Sequence, residues 1–259
     1  MPGTAKAPPI AANGHAAATS GLPPLYGALE AIAKERHAAL RLRDAGFGFA
    51  ATTTAVPLAA EEFLAAARSL PLVFGAQAPH LPVALCGLTP GQNLYVDAAG
   101  AWRPRAYIPA YLRRHPFFLL RVAPGSDELA LCIDPGAPQL GKSAGEPLFT
   151  PEGKPAPALE RAMAFARGME EAMFKTRAMA EGLAELGLLK ASVVQFEHQG
   201  KPLRVDGFFA VDRPALAALP AERLVMLRDR GWLEAIHAHL LSMGGLPELA
   251  QDLNPSPAS

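Results

Sequence analysis

From residue 157 to 186, Leu159, Met163, Ala166, Met169, Met173, Ala180 and Leu183 recur three, four or seven residues apart. That spacing keeps one face of an α-helix apolar for most of roughly eight turns, and Gly187 is a natural stop. A helix of this length with one apolar face must lie against something, so it constrains everything around it. Met163, Met169 and Met173 make the stripe adaptable. It serves either as core or as a docking groove, and core is the simpler reading.

Before this segment the apolar period is different. Residues 30–42 read as helical. Residues 47–57 read as extended chain, because Phe47 and Phe49 alternate with Gly48 and Ala50, and Pro57 biases Val56 away from helix. Residues 59–70 read as a helix, with Phe63, Ala66, Ala67 and Leu70 on one face and Glu61 and Glu62 near its positive start. Then come short apolar runs at 72–74, 81–88, 93–97, 117–122 and 128–133, separated by Gly, Pro and Asp, the pattern of an antiparallel meander. Residues 108–114 look like one or two helical turns stopped by Pro116, and 136–154 reads as an irregular connection. After the long helix, 192–197 and 203–211 form a hairpin. Short helices follow from Asp212, at 221–228 and at 232–243. Strands grouped before and after one long helix predict an α+β fold: a largely antiparallel sheet packed against a long amphipathic helix, with further C-terminal helices.

Residues 1–24 and 247–259 lack periodic apolar spacing and are rich in Ala and Pro, so they are expected to be disordered tails around a single domain at 25–246. Half of the 259 residues are apolar, enough for a sizeable core. The formal net charge is zero, whereas a chain built to bind phosphate polymers carries a basic excess, so nucleic acid is not the expected partner. No run of about 18 uncharged apolar residues exists, so membrane insertion is not expected either. Proline and glycine interrupt residues 1–20 before any secretory apolar run can form, which makes the cytoplasm the expected location. Cys86 and Cys132 sit inside apolar runs and read as buried thiols.

Motifs for catalysis are missing. No GxSxG elbow, Walker loop, strand-following GxGxxG or HExxH occurs. His237 and His239 are two residues apart, about 200° around a helix, whereas a helical metal pair needs a spacing of four; one buried and one exposed histidine is the reading. No cofactor or metal is expected. What stands out is residues 93–118, where Tyr95, Trp102, Tyr107 and Tyr111 accompany Arg103, Arg105, Arg113 and Arg114. Tyr, Trp and Arg dominate binding hot spots because they carry large contact area at low ordering cost. Presented outward, they would form a recognition surface; turned inward, they would simply anchor turns. Asn93, Asp97, Trp102, Tyr107, Tyr111, Arg113, Arg114 and Asp134 are therefore the candidate ligand- or partner-binding residues.

The same region carries a resemblance. The runs GFGFAATTTAVPLAAEEFLAAARSLPLVF, PVALCGL, NLYVD, YIPAYLRRHPFFL and LCID, followed by GEPLFTPEGKPAP, FFAVD and HAHLLSMG, resemble the SapC-like family of bacterial proteins over residues 36–246. The resemblance implies an association with surface-layer gene clusters and with uptake receptors, and supplies no catalytic residues. It leads to the expectation of a cytoplasmic accessory protein that binds another protein or a small metabolite. The alternatives are an unfamiliar enzyme with a pocket between the sheet and the long helix, and, ranked below it, an exported surface-layer component.

Overall fold

Two of the apolar runs become strands that are buried on both faces. The computed structural model describes residues 21–122, 128–198 and 201–253, and the readings that fall on residues 1–20 and 254–259 lie outside it. The chain opens with β1 (Glu30–Ala31), a single helical turn α1 (Lys34–His37) and β2 (Arg41–Leu42), then β3 (Ala55–Pro57), α2 (Phe63–Ala66), β4 (Leu72–Gly75) and β5 (Pro82–Leu85). After α3 (Ala110–Arg113) come β6 (Phe117–Arg121), β7 (Leu129–Ile133), β8 (Leu140–Gly141) and β9 (Glu146–Pro147). The long helix α4 (Pro157–Glu185) leads to the hairpin β10 (Leu189–His198) and β11 (Lys201–Val211). Four helices finish the described chain: α5 (Arg213–Ala217), α6 (Ala221–Asp229), α7 (Trp232–Ser242) and α8 (Leu246–Asp252). The class is α+β, as expected.

The strands do not form one meander. β10-β11-β4-β5-β3 make a five-stranded antiparallel sheet, and β1-β7-β6 a separate three-stranded one. β8-β2-β9 form a third, very small sheet. The break falls at 93–97, expected to be a strand. There Asn93 and Asp97 spend their side-chain oxygens on backbone N–H groups, Asn93 on Tyr95 and Asp97 on Ala99 and Ala101, so local turns replace the ladder. What remains is an isolated bridge, Val96 to Trp102, and a bond from Leu94 N to Cys86 O at 2.7 Å.

Three further expectations are corrected. Residues 30–42 are not one helix, because β1 is drawn onto Ile133 and Cys132 and β2 is held between Gly141 and Pro147, pairings about a hundred residues away. Residues 47–57 turn through a 3-10 segment at Gly48–Ala50 before becoming extended. Residues 247–252, expected to be disordered, belong to α8, which buries Leu246, Leu249 and Ala250 and whose Asp252 pairs with Arg103 at 2.8 Å.

α4 joins two cores. Near its start, Leu159 and Ala166 pack with Phe117, Leu119, Leu131, Ile133, Leu148 and Phe149. Farther along, Met169, Met179 and Leu183 enter the larger core with Leu58, Phe63, Phe74 and Leu85. Thr176 is fully buried; its hydroxyl donates to Ala172 O at 2.7 Å and accepts from Ala60 N at 2.8 Å, fixing α4 to the turn before α2. Most of the stripe is therefore core. Met163 and Met173 are only half-buried.

His237 and His239 divide as the spacing predicts, one exposed and one fully buried. His239 lies between two strands: its Nδ1 is 2.9 Å from Leu72 O, and its Nε2 accepts from Val211 N at 3.1 Å. β4 and β11 pair directly only at Phe74–Phe209 and Gly75–Phe208, so the imidazole bridges them where they have parted. Burial pushes its pKa down to about 4, which keeps it neutral and able to accept at Nε2.

Candidate functional site

The cationic and aromatic residues of 93–118 are not presented outward together. Trp102 and Tyr95 are buried and stacked with ring centroids 5.5 Å apart, and Phe47 meets Trp102 edge-on. Asn93 is buried, donating from Nδ2 to Ala50 O at 3.0 Å. Asp97 organises its own turn. Tyr107 and Arg113 belong to a second centre around buried Glu62, which accepts from Tyr107 Oη at 2.9 Å, Ala110 N at 2.7 Å and Ala59 N at 3.0 Å. Arg113 lies 4.0 Å from the same carboxylate and over the Phe165 ring. Asp134 is buried and accepts from Gly27 N at 2.6 Å and Gly136 N at 3.0 Å, tying the leading chain to the end of β7. The expected single outward surface is thus divided, because rings this large gain more from burial than from display.

Two of the eight residues, Tyr111 and Arg114, do meet, in the wall of a groove of about 580 Å3 between α4 and β6. α3 ends at Arg113, and Arg114 follows as its cap, so its side chain enters between the helix and the strand. The guanidinium carbon sits 4.2 Å from the Tyr111 ring centre and 3.9 Å from that of Phe118, a cation held between two aromatic faces. Arg114 is only 5 % exposed, and its Nη1 is 3.5 Å from Glu170 Oε1, longer than a good charge-assisted hydrogen bond. Its Nε is closed to solvent and has no hydrogen-bond partner. Tyr111 Oη donates to Pro24 O, and Tyr26 Oη donates to Phe117 O, both at 2.8 Å, so the leading chain is strapped across one end of the groove.

From α4 come Met169, Glu170, Met173, Phe174 and Arg177; Leu22, Pro57, Leu81 and Leu120 add apolar wall. Burial raises the Glu170 pKa, against the lowering pull of Arg114 and Arg121. Burial likewise pushes the Tyr111 hydroxyl up to about 12, although Arg114 opposes it, so it stays a neutral donor. Phe174 is 77 % exposed at the rim, beside partly exposed Leu120. Sequence reasoning passed over Glu170 and Phe174. The signal was there for Phe174, a large aromatic one residue off the apolar stripe of a helix.

Chemically, the groove offers a fixed cation, a carboxyl biased towards its protonated form, and apolar walls. Among the described residues no cluster of three or more His, Cys, Asp and Glu side chains is arranged to hold a metal ion, and no helix is long and apolar enough to cross a membrane.

Comparison with curated proteins and with solved structures gives no match. A family model does match: SapC, over residues 32–249, a span that includes Arg114, the Glu62 centre and all of α4, while Leu22 and Pro23 of the groove wall precede it. Coverage of most of the chain settles its kinship, and the chain belongs to the SapC family.

Proposed function

We propose that this protein is a small-molecule binding protein whose site is the groove between α4 and β6. One observation carries the reading: Arg114, buried and clamped between Tyr111 and Phe118, lines the groove with only a loose ion pair, Nη1 to Glu170 Oε1 at 3.5 Å. Size supports the reading, since small-molecule sites fall in the range of about 300–1,000 Å3 and combine apolar walls with few polar groups. Tyr111, Arg114 and Glu170 would orient the ligand, and Met169, Met173 and Phe174 would cover it.

A thermal-shift screen of apolar and amphipathic compounds on the wild type and on Met173→Trp, which fills the groove, tests this. Compounds that stabilise the wild type and not the filled variant are the expected result. Compounds that shift both proteins equally bind elsewhere and refute the site.

An accessory role in the cytoplasm, linked to surface assembly or nutrient uptake, is the setting we infer for this binding; the gene context implied by the SapC resemblance supports it. The second reading is an enzyme using the same groove. Glu170 favours it, as a partly buried carboxyl with a raised pKa beside a cation is suited to proton transfer. Turnover of a stabilising compound by the wild type, abolished in Glu170→Gln, would select that reading over binding alone.

A further inference from the structure

We propose that the ligand is a short peptide in extended form, which adds as an outer strand to the open edge of β6 along α4. This rests on the groove reading above and gives the ligand its chemical class.

The edge is the first ground. β6 is the outer strand of its sheet and pairs on one side with β7. The bonds from Val122 N to Glu128 O and from Asp134 N to Pro116 O fix the residues whose backbone faces β7: Pro116, Phe118, Leu120 and Val122. Alternation then turns the N–H and C=O groups of Phe117, Leu119 and Arg121 to the other side. Phe117 has both of its groups in use, the N–H donating to Arg114 O and the C=O accepting from the Tyr26 hydroxyl, each at 2.8 Å. Leu119 does not: its N–H and C=O meet no partner among the described residues.

Position is the second. The leading chain that reaches Phe117 O with Tyr26 also forms the groove's end wall at Leu22 and Pro23, so the groove lies on the open side of β6. A second cavity, of about 570 Å3, continues it along the strand. The two share Leu120, Arg121, Glu170 and Phe174, and the second adds Leu119 and Leu129. Leu119, Leu120 and Arg121 are consecutive, with side chains on alternate faces, so a cavity lined by all three lies against the strand's edge. An open strand edge beside a helix is a recurrent seat for an extended peptide.

Shape and chemistry choose the occupant. Leu119 is only 5 % exposed, so this edge is recessed beside α4, where a single extended chain reaches it and the sheet of a second copy would be held off. The five residues of β6 span about 17 Å, a run that suits a chain of a few residues better than a compact molecule. Arg114, Lys175 and Arg177 each already face a carboxylate, so charge does not select the guest. Open backbone groups select another backbone, and the exposed Leu120, Leu129 and Phe174 favour apolar side chains on it.

Isothermal titration calorimetry with the blocked pentapeptide acetyl-SVLVS-amide, and with three forms N-methylated at one valine, the leucine or the other valine, tests the assignment. The unmodified peptide is expected to bind the wild type. In either strand direction only alternate N–H groups of an added strand face β6. Methylation of the leucine alone, or of both valines, should therefore weaken binding about tenfold, the scale of one hydrogen bond, while the remaining positions tolerate it. Leu119→Pro removes the open N–H, leaves the bonds to β7 in place and should weaken the peptide similarly. Should that variant fail to fold, the methylated series still decides the matter with the protein unchanged. Equal losses at all three positions, with binding blocked by Met173→Trp, overturn strand addition and leave the groove reading standing. So does a peptide that fails to bind where the thermal-shift screen seats other compounds. Peptide binding that survives Met173→Trp overturns the groove itself. A wild type that sediments as a dimer, with Leu119→Pro a monomer, puts a second copy on this edge and overturns the peptide.

Discussion

Acidification should loosen this protein through His239 before most of its carboxylates are protonated. In the folded chain the ring is fully buried, with Nε2 accepting from Val211 N and Nδ1 against Leu72 O. A second proton would turn Nε2 from acceptor to donor, facing another donor. The folded pKa is about 4, set chiefly by burial, against 6.5 for an unstrained imidazole. The unfolded chain therefore binds the proton first, so stability is full above about pH 6.5 and falls as pH drops through the window down to about 4. A difference of 2.5 between those values, at 1.36 kcal/mol each, gives a loss on the order of 3 kcal/mol across the window. Urea titrations at pH 7, 5.5 and 4.5 on the wild type and on His239→Gln check it. Gln can donate and accept but does not titrate, so its stability should be lower at pH 7 and fall less steeply. His115, whose pKa burial also lowers, contributes equally to both proteins and drops out of the comparison. Parallel pH profiles for the two proteins would refute the reasoning.

Other perturbations give equally definite expectations. Glu62→Ala leaves Ala59 N, Ala110 N and Tyr107 Oη without their shared acceptor, and should cost about 2–4 kcal/mol by chemical denaturation. Gly182→Ala ought to stabilise a mid-helix position by up to about 1 kcal/mol on propensity alone. A Cβ there would run into the Trp232 ring, so a lowered melting temperature is expected instead. Leu183→Ala opens a cavity in a fully buried site and should lose about 2–5 kcal/mol. Phe174→Ser, by contrast, should shift stability by less than about 0.5 kcal/mol, because the ring is already in solvent, while weakening whatever the groove holds.

Local periodicity explains which elements could be read from the chain. α4 and the β10–β11 hairpin carry their own signals, the spacing of Leu159 to Leu183 and the paired apolar runs around 199–200, and both form where expected. β1 and β2 carry none, being two residues each and held by partners beyond residue 130. Polar residues were harder. Asn93, Asp97 and Asp134 look like ligand-binding groups by type, yet here their oxygens accept backbone N–H groups, a use that sequence spacing does not distinguish. Arg114 and Tyr111 were legible as a pair next to one aromatic run, but their neighbour Glu170 comes from a helix more than fifty residues away, and only the packing of α4 on β6 brings it there.

The double anchoring of α4 has an evolutionary side. One residue inserted between Ala166 and Met169 would rotate everything downstream by about 100°, so the upstream half could keep its seat only if the downstream half left its own. Length drift in this rod is thus closed to single-step change. Descendants of this chain are free to vary the loops at either end, whereas the interval between its two seats has to be inherited whole.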